Sequence, residues 1–238
     1  MTAFRSNRIN SQKMNLNELE PIVKGLYFYN EGETFEALVI RMFKSYYEQT
    51  EKDITNKLSL KFTSERYRLQ LIAKAILGVK NKKIEEFEKA DVVMKTIRLE
   101  KSGLLKKGFS FSQIQFKEII NEDWEESYWH YTLTKRFFFV VFQKDENDNL
   151  KLEKVFFWTM PVSDLETARI FWEDMKQKII NNDFNHFIKI SDKKIFHIRP
   201  KGRNAKDLIE TARGTLEKEK CYWLNADYIK SIIREETL

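Results

Sequence analysis

The chain has 238 residues, of which 42% are hydrophobic and 14% are aromatic, and it contains only 7 glycines and 3 prolines. This composition supplies enough apolar surface for one substantial core, and it excludes wholesale disorder and collagen-like or linker-rich architectures. The 42 basic residues outnumber the 36 acidic ones, and the net charge of +6 is compatible with nucleic-acid binding without being specific for it.

A polar leader is expected at the start of the sequence. Residues 1–20 are rich in Ser, Asn, Gln and basic side chains and have no hydrophobic period, which is typical of a leader or linker. Residues 21–238 are then expected to form a single domain. The first residues lack the apolar run of a signal peptide, and no apolar segment reaches membrane-spanning length. We therefore expect a soluble, cytoplasmic protein with no membrane partner.

Two helices are predicted in the first third of the chain. Thr34 is suited to cap the first helix, whose apolar residues recur at helical spacing from Phe35 to Tyr46. Ser64 is suited to cap the second, which is expected to stop at Gly78 because glycine favours the helix C-terminus. A charged stretch follows.

The middle third is predicted to consist of strands. Segments rich in β-branched and aromatic residues lie at 92–99, 109–116, 137–143 and 150–158. The polar residues 144–149 between the last two predict a hairpin. Every position from Phe137 to Phe142 is apolar, which indicates a strand buried on both faces.

The last third returns to helices with a short strand between them. Ser163 followed three residues later by Glu166 is a capping-box pattern, and it predicts the start of a long helix. Further predicted elements are a strand at 195–200, a helix at 205–213 closed by Gly214, and a last helix capped by Asn225 and running through Ile233. Helices around a central mixed sheet predict an α/β fold with some α+β character.

Ordinary enzyme motifs are absent from the sequence. The three histidines, His130, His186 and His197, are far apart and lack metal-ligand spacing, so a structural or surface role is favoured for each. No phosphate-binding glycine loop and no nucleophile elbow is present. The single cysteine, Cys221, excludes an internal disulfide framework and indicates a reducing compartment; a buried, inert thiol is favoured.

Two segments carry a more specific signal. They read ADVVMKTIRLE at 90–100 and FHIRPKGRNAK at 196–206. Together with WEES at 124–127, FWTMP at 157–161 and FWE at 171–173, they resemble the MutH family, in order, from about Thr34 to Ile233. That family contains the mismatch-repair nicking enzyme MutH and GATC-specific type II restriction endonucleases. The resemblance implies a restriction-endonuclease fold, with a central mixed sheet flanked by helices.

The resemblance also implies a cutting site that is not intact here. The family uses an upstream acid and a strand carrying Glu-x-Lys, whose side chains share a face and act with Mg²⁺. Lys95 matches the lysine, but Val93 stands at the Glu position and offers no metal ligand. By spacing, the upstream acid is Glu86 or Glu85, and Arg41 replaces a further acid and would repel a metal. We predict no catalytic residue, metal site or cofactor in this domain.

In an alternative interpretation, the cutting chemistry is kept because an acidic residue at another position supplies the missing metal ligand. Asp91, Glu88 or Glu100 could replace the missing ligand, and Asp91 lies at an even offset from Lys95, so the two could share a strand face. The chain would then be an active Mg²⁺-dependent endonuclease with a rearranged acidic site.

The DNA-contacting segment of the family is better preserved. Arg199 and Lys201 alternate with Pro200, so both project from one side of an extended chain, where they could donate to guanine O6 and N7. A helix beginning at Asn204 would suit a phosphate. The predicted DNA-binding residues are Arg199, Pro200, Lys201, Gly202, Arg203, Asn204, Trp223 and Phe111. For Tyr222, Phe109 and Phe111, packing in the core is an equally open interpretation.

Some family members carry two such folds in one chain, and the C-terminal copy binds a second site and activates the N-terminal one, which is called type IIE behaviour. The present chain resembles that C-terminal copy. We expect it to bind GATC duplex as an effector domain and to pair with a catalytic domain of the same enzyme, or to dimerise on DNA. Mg²⁺ would belong to the catalytic copy. A protein-interaction module that has lost DNA binding is the remaining alternative.

Overall fold

The computed structural model describes residues 18–23, 29–62, 67–80, 83–201 and 207–236. Within these ranges the α-helices are α1 Phe35–Lys44, α2 Glu51–Lys57, α3 Arg68–Ile76, α4 Glu85–Lys89, α5 Phe116–Ile119, α6 Tyr128–Leu133, α7 Val162–Ile180 and α8 Ala226–Glu235. The strands are β1 Leu19–Glu20, β2 Lys83–Ile84, β3 Val92–Leu99, β4 Phe109–Gln113, β5 Arg136–Lys144, β6 Leu150–Trp158, β7 Phe196–Pro200, β8 Leu208–Glu210, β9 Leu216–Lys218 and β10 Lys220–Leu224.

The central sheet has the strand order β3-β5-β6, with β3 parallel and β6 antiparallel to β5. All six side chains from Phe137 to Phe142 are buried, because β5 lies between two strands and both of its faces contact a core. The prediction of a doubly buried strand is therefore confirmed. The predicted hairpin at 144–149 is confirmed as well, because it joins the paired strands β5 and β6.

A second sheet has the order β4-β10-β7, with β10 antiparallel to both neighbours. One of its faces packs onto the central sheet, where the rings of Phe109 and Phe139 stack at 5.7 Å. Tyr222 of β10 also faces inward and stacks on Trp129 at 4.3 Å. Tyr222 is thus a core residue. The opposite face of this sheet points away from the core.

Helices cover the layers on both sides. Helix α1 begins where predicted, since the Thr34 hydroxyl accepts the N–H of Ala37, and its buried residues join the core on one side of the central sheet. Helix α7, the predicted long helix, buries an apolar stripe from Ala168 to Ile179 in the core on the other side. Asn225 caps α8 as predicted. The mixed α/β architecture, with helices flanking a mixed sheet, is confirmed and is consistent with a restriction-endonuclease type of fold.

The predicted helix at 205–213 is wrong over the residues that the structure describes. Strands β8 and β9 form an antiparallel hairpin instead. The Thr211 hydroxyl accepts the N–H groups of Arg213 and Thr215 and so closes the turn, in which Gly214 has a φ of 78°. Gly214 therefore closes a turn between strands, because the left-handed conformation that suits a helix end also suits a hairpin.

Several boundaries also differ from the predictions. Helix α7 begins at Val162 after Pro161, and no side chain caps it, so the capping box of Ser163 and Glu166 is wrong. Proline fixes the backbone before the first turn, which makes that position a competing start signal. The strand predicted at 109–116 ends at Gln113. Helix α2, capped by a Thr50 capping box, was missed because it is short and mostly polar.

Near the start of the chain, β1 pairs in parallel with β2, so Leu19 and Glu20 at the end of the predicted leader form a strand. Residues 1–17 lie outside the described residues, and so does Ser64; the predictions for them and the single-domain prediction stay predictions. Helix α3 ends at Ile76 and Gly78 follows with a φ of 72°, as expected for a terminating glycine. Among the helices described, none combines the length and the apolar character that a membrane span requires.

Candidate nucleic-acid interface and degenerate nuclease centre

Strand β3 places Val93 and Lys95 on the face that turns toward the second sheet. Val93 packs against the core there, and the Lys95 Nζ lies 5.8 Å and 5.3 Å from the ring centres of Phe109 and Phe111. Burial lowers the pKa of the Lys95 ammonium. No carboxylate in the described ranges forms an ion pair with Lys95, whereas the resemblance noted in the sequence leads one to expect acids beside it. We call Glu86, Val93, Lys95 and Arg41 the degenerate centre.

The acid at the upstream position has another role. Both carboxylate oxygens of Glu86 accept the N–H of Ile22 at 3.0 Å, and one also accepts the N–H of Val23 at 2.9 Å. These bonds hold the segment that follows β1. The neighbouring candidate, Glu85, pairs with Lys89 at 2.5 Å. Neither carboxylate is directed to Lys95.

The remaining position of the degenerate centre is occupied by a cation in an ion pair. Arg41 donates to both oxygens of Glu33, at 2.7 Å and 2.8 Å. The bidentate bond lowers the pKa of Glu33 and raises that of Arg41. Arg41 is therefore committed to a contact near the start of α1.

The three acids that could have replaced the missing ligand are also engaged. Hydrogen bonds from Lys144 and Lys106 lower the pKa of Glu100 to about 2. The ion pairs are Asp91 with Lys135 at 3.1 Å, Glu88 with Lys83 at 3.2 Å, and Glu100 with Lys144 and Lys106 at 2.9 Å each. In the part of the chain that the structure describes, no three His, Cys, Asp or Glu side chains are grouped to hold a metal. These residues do not fit a Mg²⁺ site.

A cluster of basic and aromatic side chains lies on the outer face of the second sheet. In the register of β7 and β10, His197 is opposite Trp223 and Arg199 is opposite Cys221. The Arg199 guanidinium lies 4.7 Å from the ring centre of Trp223, and the His197 ring stacks on the same indole at 6.0 Å. The Trp223 Nε1–H donates to the Cys221 Sγ at 3.1 Å. We call these four residues and Lys201 the basic face.

Lys201 completes the basic face at the end of β7. Its N–H donates to the carbonyl of Glu219, and its Nζ reaches the carbonyl of Phe111 at 3.3 Å, on the far side of β10. Burial raises the pKa of Cys221, and the cations of Lys201 and Arg199 oppose that shift because both lie near its sulfur. Arg199 and Lys201 thus project from the same side of the sheet.

The structure brings together Arg199, Lys201 and Trp223 of the predicted DNA-binding set, with Pro200 exposed between the two cations. Phe111 is only 8% exposed and packs edge-on against Trp129, so its ring belongs to the core and only its carbonyl reaches the basic face. Gly202, Arg203 and Asn204 lie outside the described residues, and the predictions for them stay predictions.

Sequence reasoning missed the position of His197. The imidazole is 1% exposed, and neither ring nitrogen has a hydrogen-bond partner in the described ranges. Burial, with the Arg199 cation as a second cause, lowers the pKa of His197 to about 4, so the ring is neutral at pH 7. The signal was present in the alternation of His197, Arg199 and Lys201, which puts all three on one strand face.

The geometry therefore combines a basic face with a mixed α/β fold, and the residues that the structure describes form no metal-binding cluster. A comparison with known proteins adds a relative. The chain is a distant homologue of a type II restriction enzyme. That relative is the type II restriction enzyme Sau3AI of Staphylococcus aureus, 26% identical over 269 residues. The match covers 92% of this chain and 55% of the relative, so the chain spans about half the length of the relative it matches. No protein-family model matches the chain.

Proposed function

We propose that this chain binds duplex DNA at GATC-type sites through the basic face and does not cut it. The observation that carries the proposal is the contrast within one fold. Arg199 is half-buried and Lys201 is exposed on the outer face of the second sheet, whereas the degenerate centre has Val93 at the position where a metal ligand is required. The distant homology to a restriction enzyme supports DNA as the partner.

The basic face has the chemistry that base recognition needs. Lys and Arg side chains donate to guanine O6 and N7 in the major groove, which is wide enough to admit a two-stranded β-ribbon. Contact with the Trp223 ring limits the rotamers of Arg199, so less conformational entropy is lost on binding. Among the described residues the Lys201 Nζ makes one long hydrogen bond, to a carbonyl, which it can exchange for a base at little cost.

Cleavage would need groups that this chain does not direct to one point. Phosphodiester hydrolysis in the related enzymes depends on Mg²⁺ held by carboxylates. Here the carboxylates near β3 and α4 accept backbone N–H groups or pair with lysines. Freeing one of them would leave its partner unsatisfied, and it would still meet Val93 at the neighbouring position.

The proposed role is that of an effector domain. The chain corresponds to about half of the relative, which supports an arrangement in which another copy of the fold cuts. That catalytic copy, in the same polypeptide or recruited by dimerisation on DNA, would hold the Mg²⁺. DNA bound to the basic face activates it only if binding favours the active arrangement over the inactive one.

Binding is tested by titrating a labelled GATC duplex and a scrambled duplex with the purified chain in EDTA. We expect at least a 1000-fold preference for GATC at physiological salt, the lower end for specific DNA binding. Equal affinities would contradict base recognition, and the absence of any duplex binding would favour the protein-interaction alternative.

The effector role is tested with the complete enzyme that contains or recruits this domain. A substrate with two GATC sites should be cut faster than a one-site substrate, and uncleavable GATC duplex should accelerate the one-site reaction. The double variant Arg199→Ala/Lys201→Ala should lose that acceleration and keep the slow basal cutting. Equal rates on one-site and two-site substrates would show that the effector role is wrong.

A further inference from the structure

Lys95 is a charged residue that lies among apolar side chains and has no acidic partner among the described residues. Along β3 its neighbours on the same face are Val93 and Ile97, which pack with the core, and across from it are the rings of Phe109 and Phe111. Burial lowers the pKa of its amine. Within the described ranges no carboxylate and no carbonyl forms a hydrogen bond or ion pair with the Nζ.

This arrangement is costly unless an anion completes it. An ammonium group removed from water loses hydration that apolar neighbours do not replace. Two ring faces at more than 5 Å offset only part of that loss. The side chain is half-buried rather than enclosed, so an anion can reach it from solvent.

The position of Lys95 relative to the basic face indicates which anion binds its ammonium group. Phe111 connects the two, because its ring lies beside the Lys95 Nζ and its carbonyl accepts the Lys201 Nζ. Lys95 and Lys201 lie on opposite faces of the second sheet, but β4, which carries Phe111, is an edge strand of that sheet. A duplex that contacts Lys201 and passes over this edge would present its phosphate backbone to Lys95. Phosphodiesters are spaced regularly along the duplex, at one charge per about 1.7 Å of helix axis with both strands counted.

We propose that Lys95 binds one backbone phosphate of the duplex held by the basic face, and that this contact operates without a metal ion. The inference rests on the proposed function. In this chain the lysine ammonium itself supplies the positive charge that faces the phosphate, since the surrounding residues do not fit Mg²⁺. Duplex binding should then be as tight in EDTA as in Mg²⁺.

The first experiment measures the Kd of the full chain for GATC and scrambled duplexes over a range of KCl concentrations, in EDTA. Lys95→Met, which keeps the length and apolar stem, should raise the Kd about tenfold at low salt on both duplexes. Its plot of log K against log salt should be shallower by about 0.9, the value of one phosphate contact. Lys95→Arg should keep most of the affinity. Lys52→Met, on α2, removes an exposed lysine from the other side of the central sheet and should change neither quantity.

A second experiment locates the contact. A series of duplexes, each with one neutral methylphosphonate linkage, should contain a position that weakens wild-type binding about tenfold and leaves Lys95→Met unaffected. The melting temperature of Lys95→Met should be no lower than that of the wild type, because a desolvated cation is removed, so a loss of affinity cannot come from unfolding.

The outcomes separate this inference from the proposed function. If the chain prefers GATC but Lys95→Met binds with the wild-type Kd and salt slope, the phosphate contact is wrong and the proposed function stands. If the chain binds both duplexes equally and Lys95→Met still lowers the slope, the GATC preference is wrong and the phosphate contact stands. A requirement for Mg²⁺ in binding, or failure to bind either duplex, would overturn the inference.

Discussion

The degenerate centre and the basic face both contact Phe111, yet Glu86 and Arg41 of the first are paired within the chain, whereas among the described residues the two cations of the second are not. Glu86 accepts backbone N–H groups and Arg41 pairs with Glu33, so these charges serve the fold. Arg199 and Lys201, by contrast, have no carboxylate partner in the described part of the chain. A carboxylate that is paired within the chain cannot also hold a metal ion. A cation without a carboxylate partner, in contrast, remains available to an anionic ligand.

The largest effect expected from this contrast is a complete absence of cleavage. The purified chain should neither cut nor nick GATC plasmid in Mg²⁺, and Val93→Glu alone should not restore cutting. The new carboxylate would stand beside Lys95, but Glu86 would remain bound to the backbone of Ile22. Conversion of supercoiled plasmid is measured on gels, with an active GATC-cutting enzyme as the positive control. Cutting that disappears in Lys95→Ala would show that the centre is intact.

The next effect concerns the stability that core residues packed on the inner side of β10 give to the fold. Trp129 is 1% exposed and stacks on Tyr222, which lies in β10 between two residues of the basic face. Trp129→Ala should lower the free energy of unfolding by about 3–5 kcal/mol, the usual range for removal of a buried aromatic side chain. Tyr131→Ala on the same helix removes an aromatic residue that is 52% exposed and should cost less than about 1 kcal/mol. Urea denaturation followed by fluorescence measures both, and equal losses would contradict this account of the core.

These buried supports are also the part of the fold that the sequence predicts best. The continuous apolar run of β5 and the helical stripe of α7 are long, periodic signals, and the structure matches both. The turn of β8 and β9 was missed because Gly214 and the threonines around it suit a helix end as well as a hairpin. Short elements depend on such local chemistry, and competing turns have similar energies.

At the candidate site, the sequence shows which metal-binding residue types are missing, but it does not show which partners the remaining acidic and basic side chains contact. The substitution of Val93 is visible without any coordinates. The hydrogen bonds that Glu86 accepts from the N–H groups of Ile22 and Val23 join residues 64 and 63 positions apart, and a local sequence pattern cannot predict such a contact. The burial of His197 beside Trp223 likewise depends on the register of β7 and β10, which the sequence does not reveal.

A third effect should appear as a pH dependence of stability. Burial first, and the Arg199 cation second, lower the pKa of His197 from its ordinary 6.5 to about 4 in the folded chain. Between pH 4 and pH 6.5 the His197 imidazole is protonated in the unfolded chain but mostly neutral in the folded chain. The stability that the folded chain gains from neutral His197 is therefore complete above pH 6.5 and is lost as the pH falls toward 4. His197 should account for about 3 kcal/mol of that loss, because its pKa changes by about 2.5 units at 1.36 kcal/mol per unit.

The comparison with His197→Phe isolates this group. Phenylalanine keeps the stacking on Trp223 and removes the titrating nitrogens, so the unfolding free energy of the variant should fall less between pH 7 and pH 4. Chemical denaturation at several pH values gives the slope of the unfolding free energy against pH for the wild type and for the variant. The contributions of the other titrating groups cancel in the difference between these two slopes. Parallel slopes would show that His197 is not held neutral by the fold.

The smallest effect expected is the most informative about specificity, because it compares two lysines that touch Phe111 in different ways. If Lys201 donates to guanine, Lys201→Ala should weaken binding to GATC duplex by about 1–3 kcal/mol and to scrambled duplex by much less. Isothermal titration or fluorescence anisotropy measures both affinities, and Lys52→Ala is the matched control for the lost charge. Lys95→Met should instead weaken binding to the two sequences equally, since a phosphate carries no base identity. If Lys201→Ala also lowers both affinities equally, Lys201 contacts a phosphate. The sequence preference would then have to come from Arg199 or from residues beyond the basic face.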